Sequence, residues 1–189
     1  MGLLSVTLLG ASLLSSPAAS AEGRTDRQLI SEGLGIEGIF VGRSTMENIV
    51  AAYGKDYNLI KHGTYSVEIQ YRELGLSFYY CVEDQQKRIF DIECYAPFDG
   101  FTARGIILGR STLSDVAKAY GSAELLTTSA NESWFYKYPG IIFHVKYKDG
   151  DQIPKTQMLD RKIIAINIVT RRSGVDCGVE GIKTIRPPQ

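Results

Sequence analysis

The sequence predicts an α+β protein made of two tandem units, each a short strand, one helix and a three-stranded antiparallel meander, packed on a shared core. Three observations lead there. First, a passage recurs: Gly38-Ile-Phe-Val-Gly-Arg-Ser-Thr-Met-Glu-Asn-Ile-Val-Ala-Ala-Tyr-Gly54 returns 67 positions later as Gly105-Ile-Ile-Leu-Gly-Arg-Ser-Thr-Leu-Ser-Asp-Val-Ala-Lys-Ala-Tyr-Gly121, with nine of 17 positions identical. Recurrence at a fixed period marks a repeated supersecondary unit. Second, within each copy the apolar residues fall three and four apart. Third, the segments C-terminal to each copy alternate with period two, which is strand patterning.

The elements run in order. A short apolar run, Ile36–Val41 or Gly105–Leu108, opens each unit, and a Gly-Arg-Ser-Thr turn comes next. Ser44 with Glu47 has capping-box spacing, and Ser111 and Thr112 with Asp115 form a looser version. Met46, Ile49, Val50 and Tyr53, and then Leu113, Val116, Ala117 and Tyr120, lay one apolar stripe along a helix. Gly54 and Gly121 are placed to stop these helices in a left-handed conformation. Tyr65, Val67, Ile69 and Tyr71 share one strand face, as do Trp134, Tyr136 and Tyr138. The third strands are Leu76–Val82 and Ile141–Tyr147, the fourth Ile89–Tyr95 and Ile163–Val169. In the strand Ile89–Tyr95 the better apolar set is Phe90, Ile92 and Cys94. A lone three-stranded sheet under one helix is marginal, so the units are expected to bury a common core.

The domain boundaries are a leader at 1–21, an N-terminal segment at 22–35 with a short helix around 26–32, unit one at 36–95, a linker at 96–104, unit two at 105–169 and a tail at 170–189. The leader combines the apolar run Leu3–Leu14 with Pro17 and the small-residue site Ala19-Ser20-Ala21, so it reads as a secretory signal peptide and the protein as exported, periplasmic or secreted. No Lys or Arg precedes the run. The run is too short to span a bilayer, and no second candidate span exists in the sequence. The remaining 168 residues carry 21 basic and 21 acidic side chains. That balance lacks the basic bias of nucleic-acid binding.

Cys81, Cys94 and Cys177 are the cysteines. Strand parity turns Cys94 inward and Cys81 outward, so these two do not staple their hairpin. Cys177 is left to pair with Cys81 or Cys94, or all three remain thiols.

The strand–helix–meander unit resembles the repeat of the β-lactamase inhibitor protein family, and is similar to the single unit of the SmpA/OmlA-type outer-membrane assembly lipoproteins. The matching stretches are Val41–Gly54 and Leu108–Gly121, with Thr45/Thr112 or Ser44/Ser111 at the cap, Ile49/Val116 and the closing glycines. One more residue separates the first glycine from the branched residue than in that pattern. The resemblance implies an exported helix-and-sheet protein that binds something. It transfers neither inhibition of β-lactamase nor membrane-protein assembly.

No catalytic signature stands out. His62 falls in an expected loop and His144 on an outward strand face, and neither has metal-ligand spacing around it. Cys81 and His144 both face outward, but in different units. Asp149-Gly150-Asp151 lacks the ligand spacing of a calcium loop and reads as a turn. Metal and cofactor are therefore expected to be absent, and the protein not to be an enzyme. Arg43 and Arg110 hold equivalent places before the helices and form a weak candidate anion site.

The expected binding surface is the outward sheet face. Unit one offers Glu68, Gln70, Tyr79, Asp91, Glu93 and Tyr95, an acidic set. Unit two offers Phe135, Lys137, His144, Lys146 and Asn167, a basic one. Exposed aromatics within a charge gradient suit a protein partner in the periplasm or outside the cell, or a second copy of the chain. Alternatives are an inhibitor of an extracellular enzyme, acting through the irregular segment Lys148–Asp160, and a glycan or small-ligand module. A hydrolase is the third. Asp91 and Glu93, with Glu68 on a neighbouring strand, are carboxylates that could do acid–base work, but they read as a solvated sheet face. The sequence shows no pocket of converging carboxylates and no His-activated nucleophile.

Overall fold

The computed structural model describes residues 27–127, 133–146, 155–170 and Cys177. The expected leader at 1–21 and the turn at Asp149–Asp151 lie outside the described residues. The fold is mixed α+β and mostly strand. Its elements are β1 (Gln28–Ile30), β2 (Gly35–Ile36), β3 (Ile39–Phe40), α1 (Met46–Tyr53), β4 (Asn58–His62), β5 (Ser66–Tyr71), β6 (Leu76–Cys81), β7 (Ile89–Tyr95), β8 (Gly100–Thr102), α2 (Leu113–Tyr120), β9 (Leu125–Thr127), β10 (Ser133–Tyr138), β11 (Ile141–Lys146), α3 (Lys155–Met158) and β12 (Ile163–Val169).

Both long helices start where capping chemistry permits. The Thr112 N–H donates to Asp115 Oδ2 at 2.9 Å while Thr112 Oγ1 accepts from the Asp115 N–H at 3.2 Å, a reciprocal box. At α1 the cap is Thr45, whose N–H donates to Asn48 Oδ1 at 2.9 Å. The expected Ser44–Glu47 box is thus displaced by one residue. Ser44 Oγ is already taken by the Phe40 N–H at 2.9 Å, and Ser111 Oγ likewise by the Ile107 N–H at 3.0 Å. Each serine closes the turn before its helix and leaves capping to the threonine.

Several expectations at the N-terminal side are corrected. The segment around 26–32 is not helical: β1 pairs in parallel with β8, which the linker supplies. Ile30 is fully buried and Leu29 exposed, a strand alternation too short to stand out in the sequence. The run Ile36–Val41 folds back on itself as the β2–β3 hairpin, with Glu37 and Gly38 both at positive φ in its turn. Each three-stranded meander also gains an outer strand, β4 or β9. β4 carries no apolar alternation because nearly all of it is exposed, including Leu59 at 52%.

One eight-stranded sheet results, in the order β4-β5-β6-β7-β12-β11-β10-β9. The two fourth strands meet in the middle, β7 antiparallel to β12, with Glu93 opposite Asn167 and Ile92 opposite Ile168. One face is apolar from end to end. Ile69, Phe78, Ile92, Ile168 and Ile141 align across it, as do Leu76, Cys94, Ile166 and Phe143. Ile49 of α1 and Leu113 and Val116 of α2 pack into this same apolar cluster.

The helix starts are tied to the central strands by matching backbone bonds. Ile89 N–H donates to Ser44 O at 2.8 Å and Ile163 N–H to Ser111 O at 2.9 Å. A register shift between Tyr79 and Tyr80 places Tyr80 opposite Ile89. Ile89, not Phe90, therefore takes the buried position, and the Phe90 ring lies 6.5 Å from that of Tyr79. Cys94 is free and buried, while Cys81 forms a disulfide with Cys177, so the tail cysteine pairs with the outward-facing member of the hairpin.

Candidate binding face

The second face, away from α1 and α2, collects nearly every residue singled out for binding. Strand registers set them in three rows. Glu68, Tyr79 and Asp91 form one; Gln70, Ser77, Glu93, Asn167, Ile142 and Lys137 form the next; Tyr95, Ala165, His144 and Phe135 form the third. Lys146 lies farther along β11, opposite Ser133.

The acidic half is a hydrogen-bonded network rather than an open charge patch. Glu68 Oε1 accepts from Ser77 Oγ at 2.6 Å and Gln70 Nε2 at 3.1 Å, and Glu68 Oε2 lies 2.8 Å from His62 Nε2. Tyr79 donates to Glu93 Oε2 at 2.9 Å. Asn167 Nδ2 reaches both Asp91 oxygens, at 3.0 and 3.2 Å, joining β12 to β7 through side chains as well as backbone. Burial pushes the Asp91 carboxyl up to about 7; the Asn167 hydrogen bond opposes that shift and the Glu93 charge adds to it. Burial also raises the Glu93 carboxyl, against the pull of the Tyr79 hydrogen bond, and raises the Tyr79 hydroxyl.

Three placements are corrected. The face is not the exposed surface expected of it: Glu68 is 5% exposed and Phe135 6%, while Tyr79, Asp91, Glu93, Tyr95 and His144 are half-buried. Lys137 and Lys146 do stand exposed. Phe135 is therefore a packed ring, 5.3 Å from the His144 ring, and not a free anchor. His62 belongs to β4 rather than to a loop, and it reaches Glu68 across the β4–β5 pair. His144 faces as expected but lies within the structure, where burial drives its imidazole down to about 4. A Cys81–His144 nucleophile is excluded while Cys81 is held in the disulfide.

Arg43 and Arg110 are both exposed, and neither is ion-paired among the described residues. Arg43 lines a shallow groove with Ser44, Asn48 and the carboxylate of Glu37, which works against an anion there. No group of three or more potential metal ligands occurs among the described residues. Of the irregular segment expected to protrude, Lys148–Pro154 lies outside the described residues. Of its remainder, Lys155–Met158 forms α3, in which Met158 is 1% exposed, and Leu159 and Asp160 turn toward β12.

Asn167, which strand parity already placed on this face, and His62, which it did not, complete the network. The signal for Asn167 was present, a polar residue in the otherwise apolar run Ile163–Val169. No such signal marked His62. Among the described residues no helix is long and apolar enough to cross a membrane.

No protein-family model matches the chain, and no curated protein does. A solved structure of a DUF4309 family protein, YjgB, from Bacillus subtilis is similar over 73% of this chain and 88% of its own, at 14% identity and a TM-score of 0.47. A likeness at that level carries no inference about function.

Proposed function

We propose that this is an exported, non-catalytic binding protein, built from a duplicated strand–helix–meander unit, that recognises a protein partner through the second face of its sheet. The observation that carries this reading is the β7–β12 seam, which merges two four-stranded halves into one surface, acidic at Glu68, Asp91 and Glu93 and basic at Lys137 and Lys146. Such charge separation favours oriented encounter with a complementary surface. The carboxylates are engaged by hydrogen bonds, so binding suits them better than acid–base catalysis, which needs access to substrate. The Cys81–Cys177 disulfide agrees with export, because such bonds persist in oxidising compartments. The recurrence of Ser44 and Ser111, Thr45 and Thr112, and Gly54 and Gly121 supports the duplication.

Affinity capture from the native extracellular or periplasmic fluid tests the reading. The wild-type chain is expected to retain a partner that K137E/K146E loses. Equal recovery by both, with both folded, would remove this face from the function.

A further inference from the structure

Two tyrosines at equivalent places in the recurring passage, Tyr53 and Tyr120, have different surroundings. Tyr120 ends α2 and packs against Tyr138 and Phe143, with ring centroids 5.2 and 5.0 Å away. Its ring also carries the Arg104 guanidinium, 4.5 Å from the centroid. Arg104 Nη1 donates to the Ala119 carbonyl at 3.3 Å, and Nε lies 3.5 Å from Glu32 Oε1, the oxygen that accepts from the Tyr120 hydroxyl. Ring, cation and carboxylate form one closed site.

Tyr53 ends α1 and keeps the matching ring neighbours, Tyr71 at 5.6 Å and Phe78 at 5.4 Å. A carboxylate is again present. The turn between Ile36 and Ile39 is one residue tighter than that between Thr102 and Ile106, and from it Glu37 Oε2 accepts from the Tyr53 hydroxyl at 3.4 Å. What differs is the cation. Glu37 stands where Arg104 does and Ala51 where Lys118 does, and among the described residues no cation lies on the Tyr53 ring. We propose that the groove between the β2–β3 turn and α1 is a receptor for a guanidinium group, and that its occupant is an arginine side chain of a protein partner.

Three observations carry the proposal. The second half supplies the template. Ala52, which lines the groove, is the counterpart of Ala119, against which Arg104 lies. The groove thus opens where that side chain rests in the other half. Charge is the next. Glu37 is exposed and in no ion pair among the described residues, so its carboxylate can receive a cation. Arg43 shares the groove, but its counterpart Arg110 does not keep Arg104 off the Tyr120 ring. Shape is the last. The groove is shallow, and Glu37, Asn48, Ala51 and Ala52 are exposed. That suits a side chain presented on a protein surface better than a small molecule that must be enclosed. A planar guanidinium stacks on a ring while its N–H groups reach oxygen acceptors, which an ammonium does not reproduce.

The groove lies on the helix side of the sheet. It shares with the reading above only the premise of a protein partner, and its test needs no partner.

Amide NMR titration of the full chain with Nα-acetyl-L-arginine amide tests the site. Saturable shifts are expected at Gly38, Ala51, Ala52 and Tyr53, and none with the norleucine analogue. Glu37→Gln is expected to weaken binding at least about threefold, with the dispersion of the remaining amides reporting that the variant is folded. K137E/K146E should leave the titration unchanged, which separates this site from the second face. Arg104→Ala frees the Tyr120 ring and Glu32, so the same probe should then also shift Ala119 and Tyr120. Shifts at Ala52 and Tyr53 that stay linear in probe, that the norleucine analogue reproduces, or that E37Q leaves unchanged would overturn the site. A folded R104A that gains no second site would defeat the template. Free L-arginine that binds more than about tenfold tighter than the capped form would overturn the occupant and assign the groove to a free amino acid.

Discussion

The Tyr71 hydroxyl donates a 2.7 Å hydrogen bond to the carbonyl of Gly54, the residue that ends α1. Tyr138 makes the same bond, also 2.7 Å, to Gly121 at the end of α2. A tyrosine 17 residues downstream thus fastens each helix C-terminus to the sheet, satisfying a carbonyl that the helix leaves without a partner. Tyr71→Phe is expected to cost about 1 kcal/mol, and Tyr138→Phe less because its bond is exposed. Lying in separate halves, the two effects should add to within about 0.5 kcal/mol. Urea unfolding of the single and double variants measures both.

Gly54 and Gly121 adopt φ of 85° and 90° with ψ near 180°, not the left-handed helical stop expected from the sequence. That extended positive-φ region admits almost only glycine. An added Cβ would meet nothing within 4 Å at either site, so the cost is backbone strain alone. Gly54→Val and Gly121→Val are each expected to lose on the order of 1–3 kcal/mol. Unchanged thermal midpoints in both would contradict these helix ends.

Asp91 and His144 make stability depend on pH in opposite senses. Asp91 is raised to about 7 by burial, so the folded state holds its proton over a range where the unfolded state, near 3.8, has lost it. Its contribution therefore worsens as pH rises from about 4 to 7, by at most on the order of 4 kcal/mol. Asp91→Asn should raise the thermal midpoint at pH 8 and change it little at pH 4. His144 is lowered to about 4, so its contribution worsens as pH falls from about 6.5 to 4. His144→Gln should flatten that acid limb. Melts from pH 4 to 8 separate the two; a D91N effect that grows toward acid would refute the assignment.

The Cys81–Cys177 disulfide spans 96 residues. Restricting a loop of that length in the unfolded chain is worth at most about 4–5 kcal/mol. Cys177→Ser should lower the midpoint under oxidising conditions and abolish its response to reductant. Under denaturing, non-reducing conditions the wild type should titrate one thiol, Cys94. Three thiols would exclude the bond.

The legible and illegible parts of this protein divide along one physical line. The helices, their stripes around Ile49 and Val116, and six of the eight main-sheet strands were readable, because helix and strand periods lie within a few neighbouring residues. The cap at α1 slipped by one place because Ser44 was spent on Phe40 N–H, a bond whose partner only the folded turn presents. Tyr79 and Phe135 faced the way alternation indicated, yet alternation sorts residues between two faces and says nothing of what covers either. The sequence alone therefore determined the local units and the sidedness of their strands. Tertiary structure decided that β7 meets β12, that Asn167 reaches Asp91 from 76 positions away, that β1 is a strand, and that Cys177 belongs to Cys81. Those choices compare distant segments for burial and hydrogen bonding, and no short stretch of chain carries that comparison.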